Sequence, residues 1–331
     1  MATIGVIGTG IWGTALALTA ARAGNHVICW AREPDVVASI NQRGINERFL
    51  PEIPLPEAIK ATDSLQDVLQ QAEFVLMTVS AQHTRSVLEQ MKPFVRKENC
   101  LILCAKGIET DTGLLLSEVA QQIVPGVRLA ILAGPSFARE VALGKPTAVT
   151  IACAEKETAD TLSKMMSTRT FRPYTTADII SPQIGGSLKN VMAIASGIVE
   201  GAGFGDDARA ALITRGLNEM TRLAKALNGH LRTMIGMCGL GDLILTATCT
   251  QSRNFSFGFE VGQRLSAKEL LAENTKTVEG IHTAPAVLKR AKELNIEMPI
   301  CTAVYQILFE GLSIPDAMQE LLTRPLKDEG I

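Results

Sequence analysis

Ile4-Gly5-Val6-Ile7-Gly8-Thr9-Gly10-Ile11-Trp12-Gly13-Thr14-Ala15-Leu16 decides the reading of this chain. A short apolar run meets a G-x-G-x-x-G turn, and an alanine-rich amphipathic stretch follows at 15–23. In the order strand, turn, helix, each glycine has a physical task. Gly8 makes the tight turn, Gly10 lets backbone approach a pyrophosphate, and Gly13 lets helix and strand pack closely. The phosphates then lie at the positive end of the helix. A bound dinucleotide, NAD or NADP, is the expectation.

The pattern continues outward from that stretch. Apolar runs at 27–30, 74–79, 101–104, 129–132 and 148–152 read as buried strands, and 87–91 and 114–124 read as amphipathic helices. Such alternation predicts a parallel sheet covered on both faces. The proline-rich stretch 49–56 reads as an extended surface loop. After Thr176 the alternation stops. Ser181-Pro182 reads as a helix start, with Ser181 as the cap. Ile184, Leu188, Val191, Ala195 and Ile198 then keep a helical period, as do Ile213, Leu217, Met220, Ala224 and Leu227. Helical patterns continue at 278–294 and 303–312. The fold class is therefore α/β, with a Rossmann-type dinucleotide-binding domain over 1–176 and an all-α domain over 177–331. The crevice between two such domains is the natural place for a site.

Composition narrows the function. Among 331 residues, 32 Lys and Arg face 34 Asp and Glu, a formal charge of −2. No basic field exists to hold nucleic acid, so recognition of an anion must be local. The seven cysteines are odd in number and contain no C-x-x-C pair, which fits neither a disulfide framework nor a zinc site. No metal is expected. The start of the chain lacks a secretory pattern, and no apolar run is long enough for a membrane span, so a cytoplasmic protein is expected.

Reduction of a carbonyl by hydride needs a group to protonate the developing alkoxide. The four histidines, at 26, 83, 230 and 282, have no evident partner; His83, after the strand at 74–79, comes nearest to a cofactor. Lys189 is the stronger candidate. Its helix is apolar almost all round, and Gly185, Gly186, Ala193 and Ser196 on its face invite close approach by another element. Burial would lower its pKa into a useful range; a lysine reaching the surface is the competing reading. Beside it, Asn190 offers a fixed amide. Asp242, between glycines and leucines, needs a cation if buried, and Lys189 is the evident one; a helix cap is the alternative.

Lys106 follows a strand, where ligands of such folds bind, although solvated lysines are common there too. Gly134-Pro135-Ser136-Phe137-Ala138 also follows a strand and begins a helix. Ser252-Arg253-Asn254 combines a guanidinium fork with a hydroxyl and an amide, a combination suited to a phosphate dianion. At the second strand's end Arg32 would suit a 2′-phosphate and Glu33 a 2′-hydroxyl, with a lean towards tolerance of NADPH. Trp12 is expected to pack beside the cofactor rather than in the core.

In this order, residues 8–13, Ala105-Lys106-Gly107, 133–138, Lys189-Asn190, Gly239-Leu240-Gly241-Asp242, Gln251-Ser252-Arg253-Asn254 and Val278-Glu279-Gly280 resemble the bacterial NAD(P)-dependent sn-glycerol-3-phosphate dehydrogenases over essentially the whole chain. The resemblance implies interconversion of dihydroxyacetone phosphate and glycerol 3-phosphate, feeding phospholipid synthesis. It implies Lys189 as the acid/base, supported by Lys106 and Asp242. Substrate contacts would come from Lys106, Gly134, Ser136, Lys189, Asp242, Ser252, Arg253 and Asn254. Cofactor contacts would come from Gly8, Gly10, Ile11, Trp12, Gly13, Arg32, Lys106, Ala138, Arg253, Thr277 and Glu279. Ile11 departs from the family pattern, where Ser is frequent, and forgoes a hydroxyl contact to phosphate. The partner is thus a small phosphate ester, and the apolar helical half has room for a homodimer interface. A β-hydroxyacid dehydrogenase is the nearest rival, since that class also carries a central Lys and Asn. A non-catalytic NAD(P) sensor is the other, against which the trio Lys106, Lys189 and Asp242 weighs.

Overall fold

The computed structural model describes residues 2–263, 267–274 and 277–325. They form two compact units: Met1–Ala105 with Leu115–Ile179, and Lys106–Leu114 with Ile180–Ile331.

The first unit is built on ten strands. They are β1 (Thr3–Ile7), β2 (His26–Trp30), β3 (Ile45–Asn46), β4 (Leu50–Pro54), β5 (Ile59–Thr62), β6 (Phe74–Met77), β7 (Cys100–Leu103), β8 (Arg128–Ala133), β9 (Thr147–Cys153) and β10 (Phe171–Thr176). Eight form one sheet in the order β10-β9-β8-β7-β6-β1-β2-β5. All neighbours run parallel except β8 and β9. The inner strands bury both faces, which is why they read as unbroken apolar runs. From β1 the chain builds outward through β2 to β5, then crosses over to β6 and builds the other way. The switch point of the sheet therefore lies at the carboxyl ends of β1 and β6, where such folds take ligands.

Two strands at the sheet's edges lack the unbroken apolar run of the inner ones and alternate buried with exposed residues instead. β10 carries Pro173 and three exposed residues, and β5 is only four residues long. The stretch 49–56, expected as a loop, instead contains β4, paired antiparallel to β3. Leu50, Ile53 and Leu55 are buried there. A two-stranded ribbon tolerates proline because each strand has an unpaired side.

The second unit surrounds one helix. We label α1 (Ile11–Arg22) in the first unit, then α2 (Ser181–Gly201), α3 (Asp206–Ala226), α4 (Asp242–Ala247), α5 (Arg253–Gln263), α6 (Glu279–Glu293) and α7 (Pro299–Tyr305) in the second. Every residue of α2 from Ser181 to Val199 is buried, as expected of a helix apolar all round. Close packing needs its glycines. A Cβ on Gly185 would lie 2.2 Å from the Cys238 carbonyl oxygen, and one on Gly197 would lie 2.1 Å from that of Phe255. Ser181 is not the cap: Ile180 holds that position. The Ser181 hydroxyl instead accepts the His230 N–H at 3.0 Å, joining α2 to a later turn.

A carboxylate that periodicity does not reveal lies in this core. Glu219 on α3 is 2% exposed and accepts the N–H groups of Ile300 (2.6 Å) and Cys301 (3.3 Å) in the first turn of α7. Burial pushes its pKa up to about 7, against those stabilising N–H contacts. The segment Lys106–Leu114 is tied to α6, where Lys289 donates to the Asp111 carbonyl (2.5 Å) and Thr110 to that of His282 (3.5 Å). Among the described residues no helix is long and apolar enough to cross a membrane.

Candidate active site

The glycine turn sits at the switch point. Gly8 has φ +99°, a left-handed conformation that favours glycine. A Cβ on Gly13 would fall 1.9 Å from the Gly8 carbonyl oxygen. Both glycines are therefore required by the protein itself. Gly10 differs: its backbone is extended-type at φ −67°, and a Cβ there would meet nothing within 4 Å. The space over Gly10 has no claimant in the chain, and no side chain caps α1. That is the shape and polarity of a pyrophosphate cradle.

This gives a sharp expectation. Gly10→Ala should fold with an unchanged unfolding midpoint, since neither its φ nor its surroundings object. Its KM for the nicotinamide cofactor should rise about tenfold or more, the effect of ~1.4 kcal/mol of lost contact. Fluorescence titration of the cofactor checks it, and unaltered affinity would empty the cradle of meaning.

Two side chains that the motif does not include brace the turn. Asn46, on β3 and fully buried, donates to the Thr9 carbonyl and to the Thr14 hydroxyl, both at 2.8 Å. Thr78, just after β6, donates to the Gly8 carbonyl at 2.5 Å. Trp12 turns out to pack against the core as well, and its indole N–H donates to the Cys104 carbonyl at 3.3 Å. Ile11 begins α1 with 45% of its surface exposed. Arg32 is 77% exposed and holds Glu33 at 3.1 Å, so the two candidates for the ribose end are paired to each other. Gly134 has φ +145° and lies against Val149, and Ser136 donates to its carbonyl at 2.9 Å. Ala138, half-buried, starts a short helix, Ala138–Ala142. His83 does have a partner, the Ser80 hydroxyl at 2.7 Å, and is thereby tied to its own helix start.

In the second unit three ionised groups converge. Asp242 is fully buried; its Oδ1 accepts Lys189 Nζ at 2.6 Å and its Oδ2 accepts Lys106 Nζ at 2.8 Å. One carboxylate is shared between two ammonium groups. Lys189 is 7% exposed and also donates to the Thr246 hydroxyl at 2.8 Å. Burial brings the Lys189 pKa down to about 8; Asp242 opposes that shift and Lys106 reinforces it. The local fold explains the meeting. Gly185 admits the π-helical turn Met237–Gly241 against α2, and Asp242 follows it as the first residue of α4. Asp242 does not cap that helix; its side chain holds the two lysines, with the Thr246 hydroxyl 3.4 Å from Oδ1. Thr246 was not among the expected residues, although it stands four positions after Asp242, on the same helical face.

Next to this trio lies a pair of amides. Asn190 Nδ2 donates to the Lys106 carbonyl (3.2 Å), and its Oδ1 accepts Asn254 Nδ2 (3.0 Å). Ser252 is buried and accepts the Phe255 N–H at 3.2 Å, capping α5. Arg253, the first residue of α5, is exposed and lines a cavity of about 330 Å³ with Gln251, Ser256, Phe257 and Val278. Glu279 begins α6, half-buried, with Thr277 exposed just before it.

Both halves of the chain have counterparts among known proteins. Residues 3–159 match the family model of the NAD-dependent glycerol-3-phosphate dehydrogenase N-terminus, and residues 178–319 match that of its C-terminus. A glycerol-3-phosphate dehydrogenase [NAD(P)+] of Rhodospirillum rubrum is 50% identical over 99% of this chain and 94% of its own. A crystal structure of glycerol-3-phosphate dehydrogenase from Coxiella burnetii is 39% identical, with a TM-score of 0.90 over 98% of this chain and 99% of that one. One from Saccharomyces cerevisiae is 26% identical, with a TM-score of 0.87 over 96% and 98%. Both halves and the full-length relatives lead to one assignment: the chain belongs to the NAD-dependent glycerol-3-phosphate dehydrogenase family.

Proposed function

We propose that this protein reduces dihydroxyacetone phosphate reversibly to sn-glycerol 3-phosphate, using NADH or NADPH, and so supplies glycerophospholipid synthesis in the cytoplasm. The observation that carries the reading is Lys189, buried and bound to an aspartate that a second lysine also holds. The nicotinamide supplies the hydride when bound. Gly8, Gly10 and Gly13 form the cradle for its pyrophosphate, with Ile11, Trp12, Arg32, Lys106, Ala138, Arg253, Thr277 and Glu279 as further contacts.

On this reading Lys189 Nζ gives its proton to the substrate's carbonyl oxygen as the C–H bond forms, and takes it back in the oxidation. Asp242 keeps that amine charged until needed, and Lys106 helps polarise the oxygen. Arg253 takes the phosphate in a bidentate manner. Asn254 joins it with the one Nδ2 hydrogen left after its bond to Asn190. Ser252, Gly134 and Ser136 complete the substrate contacts.

The test follows cofactor absorbance with dihydroxyacetone phosphate, unphosphorylated dihydroxyacetone and a panel of β-hydroxy acids. Turnover should be confined to the phosphate ester. Arg253→Ala should lower kcat/KM for it by about 10²-fold or more, the worth of a charge-assisted pair of bonds. Turnover of a β-hydroxy acid in preference to the phosphate would favour the rival dehydrogenase class.

A further inference from the structure

The two buried amides beside the lysines are linked in a fixed polarity. At one end stands a backbone N–H, which can only donate: Gly280 N bonds Asn254 Oδ1 at 2.9 Å. That places Asn254 Nδ2 towards Asn190, at 3.0 Å from its Oδ1. Asn190 Nδ2 is thereby turned to the Lys106 carbonyl, which can only accept, at 3.2 Å. A donor at one end and an acceptor at the other allow each amide one orientation, so neither can flip without breaking two bonds. Asn190 and Asn254 are 5% and 8% exposed, too dry for water to substitute.

Gly280 has a second, independent relation to this chain of bonds. A Cβ there would lie 2.7 Å from the Asn190 carbonyl oxygen and 2.6 Å from the Ile194 side chain. Only glycine lets the start of α6 rest on α2 at Asn190. We propose that Gly280 is a positioning residue for the reaction: through Asn254 and Asn190 it fixes the backbone of Lys106, and so seats the Lys106 ammonium on Asp242. This rests on the functional reading above, in which that cluster moves the proton. Glu279 precedes Gly280, so the cofactor contact proposed for it and the seat of Lys106 are adjacent along one helix start.

The consequence is measurable at Lys189. Lys106 is a like charge that holds the Lys189 pKa down, so releasing Lys106 from Asp242 should let that pKa rise. The Lys189 titration can be followed without turnover, by NMR correlation of its side-chain carbon and nitrogen in the intact protein. In Gly280→Ala it should move up by about half a unit or more, as expected when a close like charge withdraws. The alkaline limb of kcat for dihydroxyacetone phosphate reduction should move with it. Should the added methyl prevent folding, Asn254→Ala breaks the same chain at its middle without adding charge, and the same upward shift is expected. A folded variant of either kind whose Lys189 titrates as in the unaltered protein overturns the proposal, however much its melting temperature drops. Failure of the unaltered protein to reduce dihydroxyacetone phosphate would sink the functional reading instead, and the NMR comparison would still decide the relay.

Discussion

Asp242→Asn should lower the turnover of dihydroxyacetone phosphate reduction at neutral pH by about 10²–10³-fold, the usual loss when a proton donor or charge stabiliser fails. The argument is electrostatic. Burial and Lys106 both lower the Lys189 pKa, and Asp242 supplies the opposing attraction. With the negative charge removed, both remaining influences act downward, and Lys189 loses its proton near neutrality. The substrate oxygen then has no acid. The alkaline limb of the reduction should accordingly move to lower pH, and activity should partly return in mildly acidic buffer. Stability should suffer as well: a buried and a half-buried lysine lose the carboxylate they share, at a cost of about 3–5 kcal/mol. A pH-rate profile and a denaturant titration of the same variant check both halves. Unchanged limbs in the profile would show that Asp242 does not govern the charge of Lys189.

Lys189→Met should be more damaging to chemistry and gentler to the fold. Methionine fills much of the lysine's volume and removes the cost of burying its charge, while Asp242 keeps Lys106 as a partner at 2.8 Å. Turnover should fall by about 10²–10⁴-fold, the range for loss of a general acid. The pH dependence should change in kind. In the unaltered protein, reduction needs protonated Lys189, so its rate declines as pH rises through about 8. Oxidation of glycerol 3-phosphate needs the neutral amine, so its rate climbs through the same region. Both limbs should vanish in Lys189→Met, leaving a low, flat residual. Cofactor affinity should stay near normal, because the glycine cradle is built from other residues. A variant that kept its alkaline limb would assign the titration to another group.

The sequence carried those features whose physics is local. The turn at residues 8–13 could be read because strand, glycines and helix are contiguous, and the buried strands because both of their faces are apolar. Lys189 and Asp242 were legible as charged residues in unusually apolar, glycine-rich surroundings, a pattern that makes an unpaired charge untenable. What escaped depends on partners distant in the chain. Asn46 braces Thr9 from an irregular ribbon, and its role exists only once β3 returns to the turn. Glu219 looks like any helical glutamate until α7 brings two N–H groups to it. The division of Asp242 between two lysines was likewise unforeseen: Lys106 looked like a strand-end cation facing a ligand. Ser181 misled because a hydroxyl before proline is a good cap in isolation, and here a backbone N–H nearly fifty residues later claims the oxygen.

The excursion of Lys106–Leu114 into the helical unit has a practical consequence for anyone recombining these halves. A helical half cut at residue 180 and fused to a foreign cofactor module would arrive without one of its two cations. Asp242 would face Lys189 without Lys106, the amide of Asn190 would lose the Lys106 carbonyl, and α6 would lose its bonds to Thr110 and Asp111. A working hybrid has to carry that loop along as cargo, spliced after the module's own fifth parallel strand, the counterpart of β7.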